Sequence, residues 1–228
     1  MSNIVRSQIA HGADLIKIYS DYRFGPHGEV EPAFTVTELQ LAVSIANGSG
    51  REAVTHATSP EGMKRAIAAG FSTIEHGDEG TEDIFRTMKE KNIALCPTIA
   101  ASEAVELYRG WHKGVDPDPE RVVQKKKSFA AALRSGVTIC MGGDVGVFAH
   151  GDNAREMELM VEYGMKPLDV LRSATSVNAD VFGISKRVGR VRSGLLADIL
   201  VVTGDPSSDI KNIRNVKLVM KNGIVYRE

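Results

Sequence analysis

The sequence predicts an α/β fold built from parallel strand–helix–strand units, and three observations carry that reading. Short runs of apolar, β-favouring residues recur near 14–19, 52–57, 72–76, 93–98 and 137–142, with helical patterns between them near 36–47, 60–69, 81–91 and 119–135. The strand runs are nearly continuous in apolar residues, as expected of parallel strands covered by helices on one face and a core on the other. Gly70 and Gly136 stand just past two helical patterns and just before two strands, where a left-handed residue closes a helix.

Taken in order, the first strand is "DLIKIY", and alternation sends Lys17 to one face with Leu15 and Tyr19, and Ile16 and Ile18 to the other. A lysine in that company either reaches water or has a partner that makes burial tolerable. Thr35 with Glu38, and Thr81 at the head of "TEDIF", predict N-caps for the first and third of these helices. "NGSG" at 47–50 stops a helix and matches no phosphate-binding loop. The stretch 100–120 holds the single tryptophan and reads as a long connection suited to a lid or pocket wall. "KKKS" at 125–128 reads as a solvated helix face. Helices follow near 152–163, 167–173 and 175–182. The tail then changes character: "LLADILVVTG", "VKLVMKNG" and "IVYRE" read as short antiparallel strands, with "KNG" as a hairpin turn.

Composition excludes several classes of function. The formal net charge of the 228 residues is −1, so there is no electrostatic footprint for nucleic acid or an anionic membrane. No apolar run is long enough to span a bilayer, and the opening "MSNIVRSQIAHG" lacks the pattern of a signal peptide. Cys96 and Cys140 each sit in an apolar stretch and make no disulfide framework, which leads to the expectation of a reducing, cytoplasmic setting.

Metal-competent residues recur at the C-terminal ends of successive strands. They are Lys17, His56 in "AVTHA", His76 in "STIEHGDEG" and Asp144 in "TICMGGD". In a βα architecture those ends share one rim, where active sites form. Each has a bland reading: a snorkelling lysine, a packed histidine, an aspartate in a turn. Four such accidents on one rim are a heavier coincidence than one.

Lys17 in "GADLIKIY", His56 in "VTHA", His76 in "TIEHG" and Asp144 in "GGD" resemble the ligands on strands four, five, six and eight of the amidohydrolase superfamily. "HGDNAREMELMVEYGMKPLDVLRSATSVNADVFG" is similar to the helices after its final barrel strand. "VGRVRSGLLADILVVTGDP" and "VMKNGIVY" are similar to the closing β-domain of its imidazolonepropionase- and prolidase-like branch. The resemblance implies a partial (β/α)8 TIM-type barrel of about five of eight strands over residues 1–190, with a β segment over 191–228. It implies one or two divalent ions, usually zinc, and a carbamate formed on Lys17 by carbon dioxide. His56 and His76 would hold the more exposed ion. Asp144 would hold the more buried one and act as acid and base. His150 matches a histidine just past the strand-eight aspartate, and Tyr19 follows the lysine, so both are candidate substrate contacts.

The family's first-strand His-x-His pair has no counterpart here, and His11, in a helical segment, is a poor substitute. Five strands do not close an eight-stranded barrel. A partner is therefore expected, either a separate N-terminal half or a second copy, unless the chain is a fragment of a longer gene product. Two functional readings stay open: a hydrolase of C–N bonds in dipeptides or N-acyl amino acids, and a truncated α/β module that assembles or binds a ligand without catalysis.

Overall fold

The computed structural model describes all 228 residues, and they fall into two compact units. The first unit takes residues 1–97 and 109–139; the second takes 98–108 and 140–228.

The first unit opens with α1 (Ser2–Ala10) and β1 (Leu15–Tyr19), followed by a short hairpin of β2 (Asp21–Arg23) and β3 (Val30–Pro32) that the sequence patterns did not announce. Helix α2 (Val36–Gly48) begins at the predicted capping box: the Glu38 amide donates to the Thr35 hydroxyl, and the Glu38 carboxylate accepts from the Thr35 amide. Strand β4 (Glu52–Ala57) leads to α3 (Pro60–Ala69), which Ser59 caps and Gly70 closes at φ +87°. Strand β5 (Thr73–His76), α4 (Glu82–Glu90, capped by Thr81) and β6 (Ala94–Cys96) complete the run. The chain then contributes α5 (Ile99–Tyr108) to the second unit and returns as α6 (Glu120–Ser135), closed by Gly136 at φ +68°.

The four strands form one parallel sheet in the order β1-β4-β5-β6. The fifth predicted strand is reduced to a single parallel bridge from Leu95 to Ile139. In register, Ile16 lies opposite Ala53, Ile18 opposite Thr55, Thr55 opposite Ile74, and Ile74 opposite Leu95. Most of that row is buried, and Leu39, Met63, Phe71, Phe85 and Met88 from neighbouring segments add to the core. The opposite row carries Lys17, then Tyr19, His56 and Glu75 side by side.

The second unit gathers α5, α7 (Ala154–Glu162), α8 (Pro167–Arg172), a π-turn over Ser173–Val177, and α9 (Asn178–Val181). Its tail is an antiparallel sheet of β7 (Ile199–Val202), β8 (Val216–Lys221) and β9 (Ile224–Arg227), in that order. Asn222 and Gly223, at φ +50° and +78°, form the hairpin expected of "KNG". Glu156 is fully buried, and its carboxylate accepts from the amides of Ile99 and Ala100 at 2.9 and 2.7 Å, satisfying donors at the start of α5. The stretch 100–120 was expected to be a loop; its first part is instead this helix, whose orphan amides find a buried acceptor remote in sequence. No helix is long and apolar enough to cross a membrane.

Candidate metal centre

Lys17 sits in mid-β1 with an exposed side chain, so the amine reaches water, with Nζ 5.7 Å from the centroid of the Tyr19 ring. Register places Tyr19 beside His56, and their rings stack at 4.4 Å with an interplanar angle of 14°. Tyr22, from the hairpin, stands 5.5 Å from Tyr19 and 5.9 Å from His56, and all three ring faces lie at one end of the sheet.

His76 reaches this group against the rule of alternation. It pairs with Ala57, and His56 pairs with Glu75, so a continued strand would send the two imidazoles to opposite faces. The strand ends at His76, whose φ is +75°, in the left-handed region. The ring turns with it and meets His56 edge-on at 4.4 Å and 64°. Burial pushes the His76 imidazole well below its ordinary pKa, and the charges of His56, Lys125 and Lys17 push the same way, against Asp78. The ring is therefore neutral, with a nitrogen lone pair to offer a cation.

Asp21, which sequence reading passed over, is buried beside His56, with Oδ1 3.7 Å from Nε2. Its carboxylate accepts the amides of Thr58 and Ser59 at 3.0 and 2.8 Å and both their hydroxyls. The turn from β4 to α3 thus fixes an anion next to the ring. The signal was an aspartate two residues past the strand, in "IYSD", where strand-end carboxylates face a rim.

Lys125 corrects a second expectation. It was assigned to a solvated helix face, yet it is 1% exposed. Its ammonium donates to the His76 carbonyl at 2.6 Å and to Asp78 Oδ1 at 2.7 Å. A run of three lysines looks uniformly polar in sequence, but on a helix its members point in different directions, and Lys125 points inward.

Asp144 and His150 belong to the second unit. Asp144 is exposed in the loop after Cys140, with φ +59°. That loop is tethered at Met141, whose amide donates to Asn178 Oδ1 at 2.9 Å and whose carbonyl accepts from Asn178 Nδ2 at 2.8 Å. His150 is exposed, with its ring near Gly146. Cys96 and Cys140 are buried thiols, as expected.

No three His, Cys, Asp or Glu side chains are gathered closely enough to form a metal site by themselves. What the first unit does assemble is two adjacent imidazoles, one of them held neutral by burial, with a water-exposed lysine beside them. That donor set fits a divalent ion if Lys17 supplies an oxygen ligand after modification.

The amidohydrolase family model matches residues 2–225. The chain belongs to the amidohydrolase family. This amidohydrolase is 29% identical to ochratoxinase of Aspergillus niger over 225 residues, covering 94% of this chain and 46% of that protein. It is 30% identical to the imidazolonepropionase of Thermoplasma volcanium over 132 residues, covering 54% of this chain and 33% of that one. It superposes with a TM-score of 0.88 on a crystal structure of a Xaa-Pro dipeptidase with methionine bound in the active site. That pair is 35% identical, and the match covers 100% of this chain and 58% of the other. The amidohydrolase chain thus spans the C-terminal portion of larger relatives, about half the length of the ochratoxinase and dipeptidase chains, and its parallel sheet with covering helices is a partial barrel.

Proposed function

We propose that this amidohydrolase forms part of a metal-dependent hydrolase of C–N bonds in small amides, with dipeptides or N-acyl amino acids as the substrate class. The observation that carries the reading is the pair of imidazoles of His56 and His76, 4.4 Å apart at the end of the sheet that bears Lys17. The substrate class rests on similarity to a Xaa-Pro dipeptidase and an ochratoxinase.

His56 and His76 would bind one divalent ion, zinc being the best match to imidazole donors. Lys17, open to water, would take up carbon dioxide and present an anionic oxygen to one or two such ions, with Asp144 as a further ligand. A bound ion would supply polarisation of the amide carbonyl and a lowered pKa for water. Asp144 would accept the proton of the attacking water as its oxygen bonds to the carbonyl carbon. It would deliver that proton to the leaving nitrogen as the C–N bond breaks. Tyr19 and His150 would contact the substrate. The role of Asp144 rests on its "GGD" motif.

Strand β1 lies at the edge of its sheet, where further backbone can pair. The reading therefore includes further chain that extends the sheet, whether N-terminal sequence of a longer product, a separate N-terminal half or a second copy, and a cytoplasmic setting in which the thiols stay reduced.

The test is zinc loading in bicarbonate, elemental analysis, and assay of a dipeptide panel with the chain alone and with the N-terminal portion of a related dipeptidase supplied in trans. The expected result is about one to two zinc ions per chain, lost in His76→Ala, with turnover in the reconstituted sample. Zinc below about a tenth of an ion per chain would instead favour a module that assembles or binds without catalysis.

A further inference from the structure

A left-handed histidine at a strand end costs energy, and it persists only where its surroundings over-determine it. The surroundings of His76 are three residues of α6 spaced to share one helical face: Arg121, Lys125 and Ser128. They grip three consecutive residues, the last of the strand and the two that follow it. Lys125 Nζ donates to the His76 carbonyl at 2.6 Å, and the Ser128 hydroxyl donates to the Gly77 carbonyl at 2.6 Å. Asp78 receives Lys125 at 2.7 Å and Arg121 at 3.4 Å. The β5–β6 register ends at Glu75 and Cys96, so the carbonyls of residues 76 and 77 lie past the ladder and take their donors from α6 instead.

The chemical choice at position 125 is informative. A buried ion pair gives little stability over a well-packed apolar pair, because desolvating two charges offsets their attraction. A methionine would fill the same channel. What it would not do is hold a carbonyl in a fixed direction, and a fixed His76 carbonyl fixes the 76–77 peptide plane, hence ψ of His76, at the point where His76 and Gly77 both stand at positive φ.

We propose that Lys125 is a positioning residue for metal binding: it clamps the end of β5 in the left-handed conformation that turns the His76 imidazole toward His56. Ser128 is the second jaw of the clamp. The proposal rests on His56 and His76 being the ligands, and it adds a residue remote in sequence on which their geometry depends.

The experiment compares full-length wild type with Lys125→Met, Lys125→Arg and Ser128→Ala, by crystal structure, thermal midpoint and zinc titration. In Lys125→Met the zinc dissociation constant is expected to rise about 10- to 100-fold, the usual range for loss of a residue that orients a ligand. His76 is expected to leave positive φ, and its ring to move away from His56 by about 1 Å or more. Ser128→Ala should show the same changes in smaller measure, and Lys125→Arg should recover part of the affinity. Zinc affinity within about twofold of wild type, with His76 still at positive φ, would overturn the proposal even if the thermal midpoint drops, since Lys125 would then stabilise without positioning. Should Lys125→Met not fold, Ser128→Ala decides by the same two readings, and an unchanged His76 there overturns it. Should wild type bind no zinc at all, the metal reading fails on its own, and the clamp is judged by whether His76 keeps its backbone conformation and ring separation in the variants.

Discussion

Asp21 Oδ1 stands 3.7 Å from His56 Nε2, and the same carboxylate takes both amides of the Thr58–Ser59 turn. One buried anion therefore ties the hairpin to the turn after β4 and fixes what His56 faces. Asp21→Ala would leave those two amides without an acceptor in a buried place. The expected loss is roughly 2–4 kcal/mol in urea unfolding, with Asp21→Asn losing less because its amide oxygen still accepts. A loss under about 0.5 kcal/mol would mean that water replaces the carboxylate there.

Gly62 gives a prediction of opposite sign to helix propensity. Alanine in a helix interior is ordinarily better than glycine by about 1 kcal/mol. Here a Cβ would lie 2.0 Å from Asp21 Oδ2, inside the hydrogen-bonded network. Gly62→Ala should therefore destabilise by about 1–3 kcal/mol by displacing the carboxylate. Its effect should shrink in an Asp21→Ala background, which a double-mutant cycle in urea would read directly.

Glu156 predicts an effect confined to the second unit. Its buried carboxylate satisfies the first amides of α5. Glu156→Ala should cost about 2–3 kcal/mol and increase hydrogen exchange in residues 99–108 ahead of α7. Equal protection of that helix in both proteins would show that other groups cap it.

Asp78 predicts an acid limb to stability. Burial raises its pKa, but the charge and hydrogen bond of Lys125, with the charge of Arg121, outweigh burial and hold it at about 2. A carboxyl depressed in the folded state contributes stability that is fully present above its ordinary value of 3.8 and is lost as pH falls through about 2. Urea midpoints measured from pH 6 down to about 2 should fall more steeply for wild type than for Asp78→Asn, which no longer carries the titrating group. Parallel curves would sink the idea that this ion pair sets the limb.

Much of the fold was legible because helices and parallel strands write periodic patterns. The capping box at Thr35 and Glu38 and the closures at Gly70 and Gly136 stand where those patterns put them. The hairpin of β2 and β3 was missed because each strand is three residues, too short to show alternation. The strands bearing Lys17, His56 and His76 could be read from local sequence, although Lys17 lies in mid-strand rather than at the expected strand end. Their supports could not: Asp21 reaches forward 37 residues to Thr58, and Lys125 reaches back 49 residues to His76. Such contacts depend on tertiary structure that no window of neighbours contains.

The discontinuity of the first unit sets an order of events during synthesis. A nascent chain that ends near residue 97 carries His76 and Asp78 but not Lys125, so the buried aspartate has no counter-ion and the strand end has no clamp. Helix α5 likewise emerges before Glu156, its buried acceptor, has been made. On the clamp proposed above, the arrangement of His56 and His76 would be complete only after the ribosome has delivered α6, and a chain stopped before residue 125 would lack the Lys125 contacts to His76 and Asp78.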